Sequence, residues 1–138
     1  MSDDDAELME AALALLDRVY VTGRHEVVAA MRLSDGSVHL GVHVDASSRR
    51  GAVCAEGVAA GNAVSHAAVT GAAPAVVVSC VSVLRRPIGT QHVIEPCGVC
   101  AELLSDYWPE ARVWVTRGDD TMAVTAAELL PAKRQRGW

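Results

Sequence analysis

Phenylalanine is absent from the 138-residue chain, and Trp and Tyr supply all of its 4% aromatic content. Alanine, valine and leucine must fill the interior. These side chains let helices and sheet approach closely but bury little area each, so part of the stability is expected from an interface between subunits. A surplus of positive charge is also missing. Lys and Arg number 12 against 17 Asp and Glu, a net charge of −5 at pH 7. That excludes general binding to nucleic acid or to an anionic membrane surface, both of which rest on Lys and Arg. No apolar run reaches the ~18 residues of a membrane span, and the start, Met1-Ser2-Asp3-Asp4-Asp5, is acidic where a secretory leader would be basic. A cytoplasmic location is expected. A hydrophobic share of 51% excludes a disordered chain, and the length suits one domain over residues 1–138. Four cysteines in an intracellular chain point away from disulfides.

Apolar residues at Leu8, Ala11, Ala12, Leu15, Leu16 and Val19 have helical spacing, with N-cap oxygens at Ser2 to Asp5 and a stop at Gly23. Two β-like runs, 26–33 and 37–44, flank the hairpin signal Ser34-Asp35-Gly36. An Ala-rich helix is expected over 54–69, ended by Gly71. The valines of 75–84 suit a central strand covered on both faces. Residues 85–95, with Pro87 and Gly89, read as a loop. A third helix spans about 97–107, strands follow at 112–116 and 121–124, and Thr125 with Glu128 opens a short helix before Pro131. This order gives an α/β fold, a three-layer α/β/α sandwich around a five-stranded mixed sheet.

Both chemically notable cysteine groups fall at helix starts. Free N–H groups and the dipole there favour thiolate over thiol. Bringing the two ends together would place Cys54, Cys97 and Cys100 around one point, and three thiolates with an open fourth position make a catalytic zinc site. Glu56, two residues after Cys54, projects near the metal without having to ligate it, where a carboxylate can carry protons. A ligand-x-Glu followed by Pro-Cys-x-x-Cys is the signature of zinc nucleobase deaminases; here it reads Cys54-Ala55-Glu56 and Pro96-Cys97-Gly98-Val99-Cys100.

On these motifs, together with Asp-Tyr-Trp-Pro at 106–109 and Glu128-Leu129-Leu130-Pro131, the chain resembles the small zinc-dependent cytidine deaminases, and within them the blasticidin-S deaminase branch. The resemblance implies one Zn²⁺ per chain on Cys54, Cys97 and Cys100, Glu56 as proton shuttle, and the Ala55 backbone N–H holding the pyrimidine. It further implies a homotetramer acting on a small nucleoside-like molecule, cytidine- or blasticidin-S-like, with water addition and release of ammonia. Where relatives carry Asn-x-Glu to grip the ribose, this chain has His43-Val44-Asp45, which still offers hydrogen bonds to a hydroxylated substituent. Many relatives place Arg at the positions of Gly57 or Ala101 to offset thiolate charge; here either the helix dipoles suffice or an arginine from elsewhere serves, with Arg49 and Arg50 of the preceding loop as candidates. Glu95 stands where relatives have Ser, a position that works through its backbone. Arg134 replaces a base-stacking Phe, and Trp138 is a second stacking option.

The plainer readings are a structural zinc with Cys80, His66 or His92 as fourth ligand, or a redox cysteine pair. Cys80, amid valines, reads as a buried core thiol. Two other functions share the pattern: deamination of another amino-substituted heterocycle, and a catalytically degenerate, zinc-stabilised nucleoside-binding protein.

Overall fold

The computed structural model describes residues 1–137. Helix α1 (Asp3–Val19) begins where Ser2 Oγ accepts a hydrogen bond from Asp5 N at 3.2 Å, and buries Leu8, Ala12 and Leu16 on one stripe. Strands β1 (Val27–Leu33) and β2 (Val38–Val42) form the expected hairpin, with Gly36 at φ +88° in its turn. Helix α2 (Ala55–Thr70) ends on Gly71 at φ +76°. Then come β3 (Val77–Leu84), β4 (His92–Ile94), α3 (Gly98–Tyr107), β5 (Arg112–Arg117), β6 (Asp120–Thr125) and the short α4 (Ala126–Leu129). The last opens with the anticipated capping box of Thr125 and Glu128.

The five expected strands lie in the order β2-β1-β3-β5-β6. Only β3 and β5 run parallel, so the sheet is mixed. The three-residue β4, inside the segment expected to be a loop, adds a sixth strand. Only Val93 of its side chains is buried, too short a signal to rise above the neighbouring Pro87 and Gly89. Its placement matters. Along one edge of β3, Ser79 and Cys80 pair with β5 while Ser82, Val83 and Leu84 pair with β4. The parallel strands therefore part beyond Cys80, and a crevice at such a parting is where open α/β sheets bind ligands.

Each face of the sheet has its own core. Leu8, Ala12 and Leu16 of α1 pack on Val28, Ala30, Val81 and Val83. On the other face Ala55, Ala59 and Ala63 of α2 and Leu104 of α3 pack on Ala29, Met31, Cys80 and Val113, completing three layers. Helix α2 lies directly on the sheet at Gly41, where a Cβ would fall 2.3 Å from Ala59 N and 2.4 Å from Ala55 O. The glycine fixes the height of the helix's first turn.

Candidate active site

Val44 and Val53 exchange backbone hydrogen bonds of 3.1 and 2.9 Å, closing the loop between them and delivering Cys54 as the N-cap of α2. Cys97 is the N-cap of α3, and its Sγ accepts from Cys100 N at 3.5 Å. Two helix N-termini therefore converge at the end of β3. Cys54 Sγ stands 3.5 Å from Cys97 Sγ, and the sulfurs of Cys54, Cys97 and Cys100 all lie within 4.8 Å of one another. Tetrahedral Zn–S bonds of ~2.3 Å separate sulfurs by roughly 3.8 Å, so the three residues fit zinc without rearranging the backbone.

The three thiols do not ionise alike. Burial pushes the Cys54 thiol up, helped by its contact with Cys97. Burial also raises Cys100, and the Glu56 charge adds to it. At Cys97 burial works the same way, but hydrogen bonds, chiefly from the Cys100 backbone, outweigh it and lower the thiol. Packed thiols beside a buried carboxylate resist joint ionisation, and a dication reverses that balance.

The cysteine group has three members among the described residues, leaving a fourth position free of His, Cys, Asp or Glu. Cys80 is a fully buried core thiol, its pKa pushed up by burial. His66 lies instead 3.8 Å from Asp35 with its ring packed on His39, and the exposed His92 pairs with Leu84.

Glu56 is 4% exposed. Its Oε1 accepts a 2.7 Å hydrogen bond from Ser82 Oγ on β3. Ser82 is absent from the motif reading; the only signal for it is a polar residue in a run of valines. Glu56, Cys54, Cys97, Ala55, Val27, His43, Ile94, Glu95 and Pro96 line a cavity of about 260 Å³. A second hollow of about 160 Å³, lined by Gly23, Arg24, Glu26, Val27, His43 and Asp45, shares Val27 and His43 with it. The first is below the ~300–1,000 Å³ of pockets for drug-sized ligands and suits one ring; the second is charged and suits a polar substituent. His43 thus stands where the two meet, whereas Asp45 lines only the second, is exposed, and its Oδ1 accepts from Ala46 N at 2.8 Å. Ala55, 1% exposed, presents the first N–H of α2. Arg49 and Arg50 form an exposed 3₁₀ turn, and neither they nor the exposed Arg134 line this cavity. Trp138 lies outside the described residues.

Residues 2–116 match the family described as the cytidine and deoxycytidylate deaminase zinc-binding region. Among named relatives, the chain is 33% identical over 141 residues to blasticidin-S deaminase of Bacillus cereus, covering 99% of this chain and 96% of that one. It is 29% identical over 131 residues to cytidine deaminase of Halalkalibacterium halodurans, covering 93% and 92%. The cytidine deaminase structure from Burkholderia pseudomallei superimposes with a TM-score of 0.70 at 28% identity, over 96% of this chain and 98% of that one. That from Bacillus anthracis gives 0.73 at 23% identity, over 93% and 87%, a likeness of fold. The convergent helix starts, the three sulfurs and the buried carboxylate therefore sit in a chain that belongs to the zinc-binding cytidine and deoxycytidylate deaminase family.

Proposed function

We propose that the chain, as one domain over residues 1–138, is a hydrolytic deaminase of an aminopyrimidine nucleoside or nucleoside analogue, cytidine- or blasticidin-S-like. Cys54, Cys97 and Cys100 would hold one Zn²⁺. Bound there, the ion supplies Lewis acidity that makes water a better nucleophile near neutral pH. The observation that carries the reading is Glu56, a buried carboxylate lining the same cavity as Cys54 and Cys97 and tethered at one oxygen.

The rest of the chemistry belongs to the chain's own side chains. Glu56 takes a proton from water as it adds to the ring carbon bearing the amino group and passes it to the ring nitrogen; it then takes the remaining proton of the added hydroxyl and delivers it to the amine, which departs as ammonia and leaves the ring carbonyl. The Ala55 N–H orients the pyrimidine, and His43 and Asp45 meet its substituent in the adjoining hollow. With no Lys or Arg among the cavity-lining residues, the N-termini of α2 and α3 supply the positive potential that offsets the thiolates. Assembly as a homotetramer and a place in the cytoplasm belong to the same proposal; four free cysteines suit a reducing compartment.

The test is ammonia release from cytidine, deoxycytidine, cytosine and blasticidin S by the zinc-loaded protein, alongside Glu56→Gln. That variant keeps size and hydrogen bonding but cannot accept the proton, and should lose ~10²–10⁴ in rate or more while retaining one zinc per chain. Near-normal turnover would sink the deaminase mechanism. Loss of zinc would show Glu56 to be a ligand and favour the binding-protein alternative.

A further inference from the structure

Glu56 has two oxygens, and the fold treats them differently. Oε1 accepts the 2.7 Å hydrogen bond from Ser82 Oγ, and among the described residues no hydrogen bond engages Oε2. Ser82 is 1% exposed, so water does not compete for its single proton. Its backbone is held on both sides, opposite Ala29 of β1 and Ile94 of β4, in the middle of the sheet. A carboxylate at the end of a two-torsion arm would otherwise sample several orientations, and proton transfer needs hydrogen-bond reach at each step.

We propose that Ser82 is a positioning residue for the deamination: its hydroxyl pins Oε1 so that Oε2 alone faces the cavity and carries every proton the reaction moves. The proposal rests on Glu56 being the proton carrier. The valine-rich setting supports it, because a hydroxyl in such a strand costs desolvation unless a partner repays it, and its partner is the one carboxylate lining the cysteine cavity apart from Glu95. Ser82 is not among the residues lining the cavity, so its action passes through Glu56.

The experiment compares the zinc-loaded wild type with Ser82→Ala, Ser82→Thr and Ser82→Val on whichever of cytidine, deoxycytidine and blasticidin S turns over fastest. Thr and Val share a shape and differ in the hydroxyl, which separates packing from hydrogen bonding even if Ala folds poorly. Ala and Val should lower kcat by about 10–100-fold, the order that a misplacement of ~1 Å costs, with KM within about threefold. Thr should stay within about threefold of wild type. Zinc content and the Kd of a product nucleoside, measured by calorimetry, should not change. Added to Glu56→Gln, Ser82→Ala should cost nothing further, because the two act as a unit. Equal kcat for the Thr and Val variants would overturn the proposal, as would a loss confined to KM or an additive double variant. If Glu56→Gln itself kept turnover, the functional reading would fall first, so the two failures are distinguishable.

Discussion

Asp5 is 2% exposed in the first turn of α1, and Arg112 grips its carboxylate through Nε at 3.3 Å and a terminal nitrogen at 3.1 Å. Burial alone would raise its pKa, but Arg112, then Ser79 and Trp114, outweigh that and leave it below the ordinary carboxylate value. Ser79 Oγ and Trp114 Nε1 are buried without a full hydrogen bond of their own, so the carboxylate is also their nearest relief. A folded pKa below the unfolded one means stability that is fully present above about pH 4 and is lost as pH falls through the folded value. Asp5→Asn should lower stability at pH 7 by about 1–3 kcal/mol, the range for a charge-assisted buried interaction, and should flatten the acid limb below pH 4. Urea melts from pH 3 to 7 read both effects; parallel wild-type and variant curves below pH 4 would contradict the linkage. Neither Asp5 nor Ser82 was legible in the sequence. Each acts through a partner far along the chain, Asp5 through Arg112 and Ser82 through Glu56, and a lone polar residue has no period to betray it. Cys54, Glu56, Cys97 and Cys100 were legible because their spacing is local: each group sits within the first turn of one helix.

Helices and hairpin were readable for the same reason, through caps, glycines at positive φ and apolar stripes that depend on neighbours a few residues away. The convergence of α2 and α3 followed only from the paired cysteine motifs and not from any local pattern, because in the fold it depends on β3 sharing one edge between β4 and β5. The height of α2 was hidden too, since nothing in the sequence marks Gly41 as a contact point. Gly41→Ala would drive a Cβ into backbone at Ala55 and Ala59, and backbone cannot yield as a side-chain tip can. Overpacking of this kind costs about 1–3 kcal/mol or more. It should also displace the turn carrying Cys54 and Glu56, so zinc affinity and turnover should fall together even in folded protein. Gly57→Ala is the control. Its Cβ would meet only Val53 Cγ1, at an ordinary 3.6 Å, and replacing a helical glycine by alanine gains up to ~1 kcal/mol. Denaturant midpoints and zinc titration against a chromophoric chelator distinguish the pair; equal zinc affinity in Gly41→Ala and wild type would remove Gly41 from the site's architecture.

Over the whole molecule, the missing phenylalanines return as a question of assembly. The face made by α2 and α3 is open where a finished surface would be polar: Val64 is 47% exposed, Val99 76% and Tyr107 51%. Between the helices lies a groove of about 410 Å³ lined by Gly57, Ala60, Gly61, Val64, Leu103 and Tyr107 among others. Small residues along α2 let another backbone approach closely, and such an apolar face gains most when covered. The same helices carry Cys54, Glu56, Cys97 and Cys100 at their N-termini, so an interface here would stiffen the elements that hold the site. The homotetramer proposed above would cover such a face, and light scattering at micromolar concentration should then return about four times the 14.5 kDa chain mass. Val64→Glu places a charge in the groove, far from the N-terminal turn of α2, and should shift the mass downward. If activity falls in step with mass and returns at high protein concentration, assembly supports catalysis. A wild-type mass of one chain at those concentrations would refute the tetramer and leave the Ala- and Val-rich interior stable without a partner.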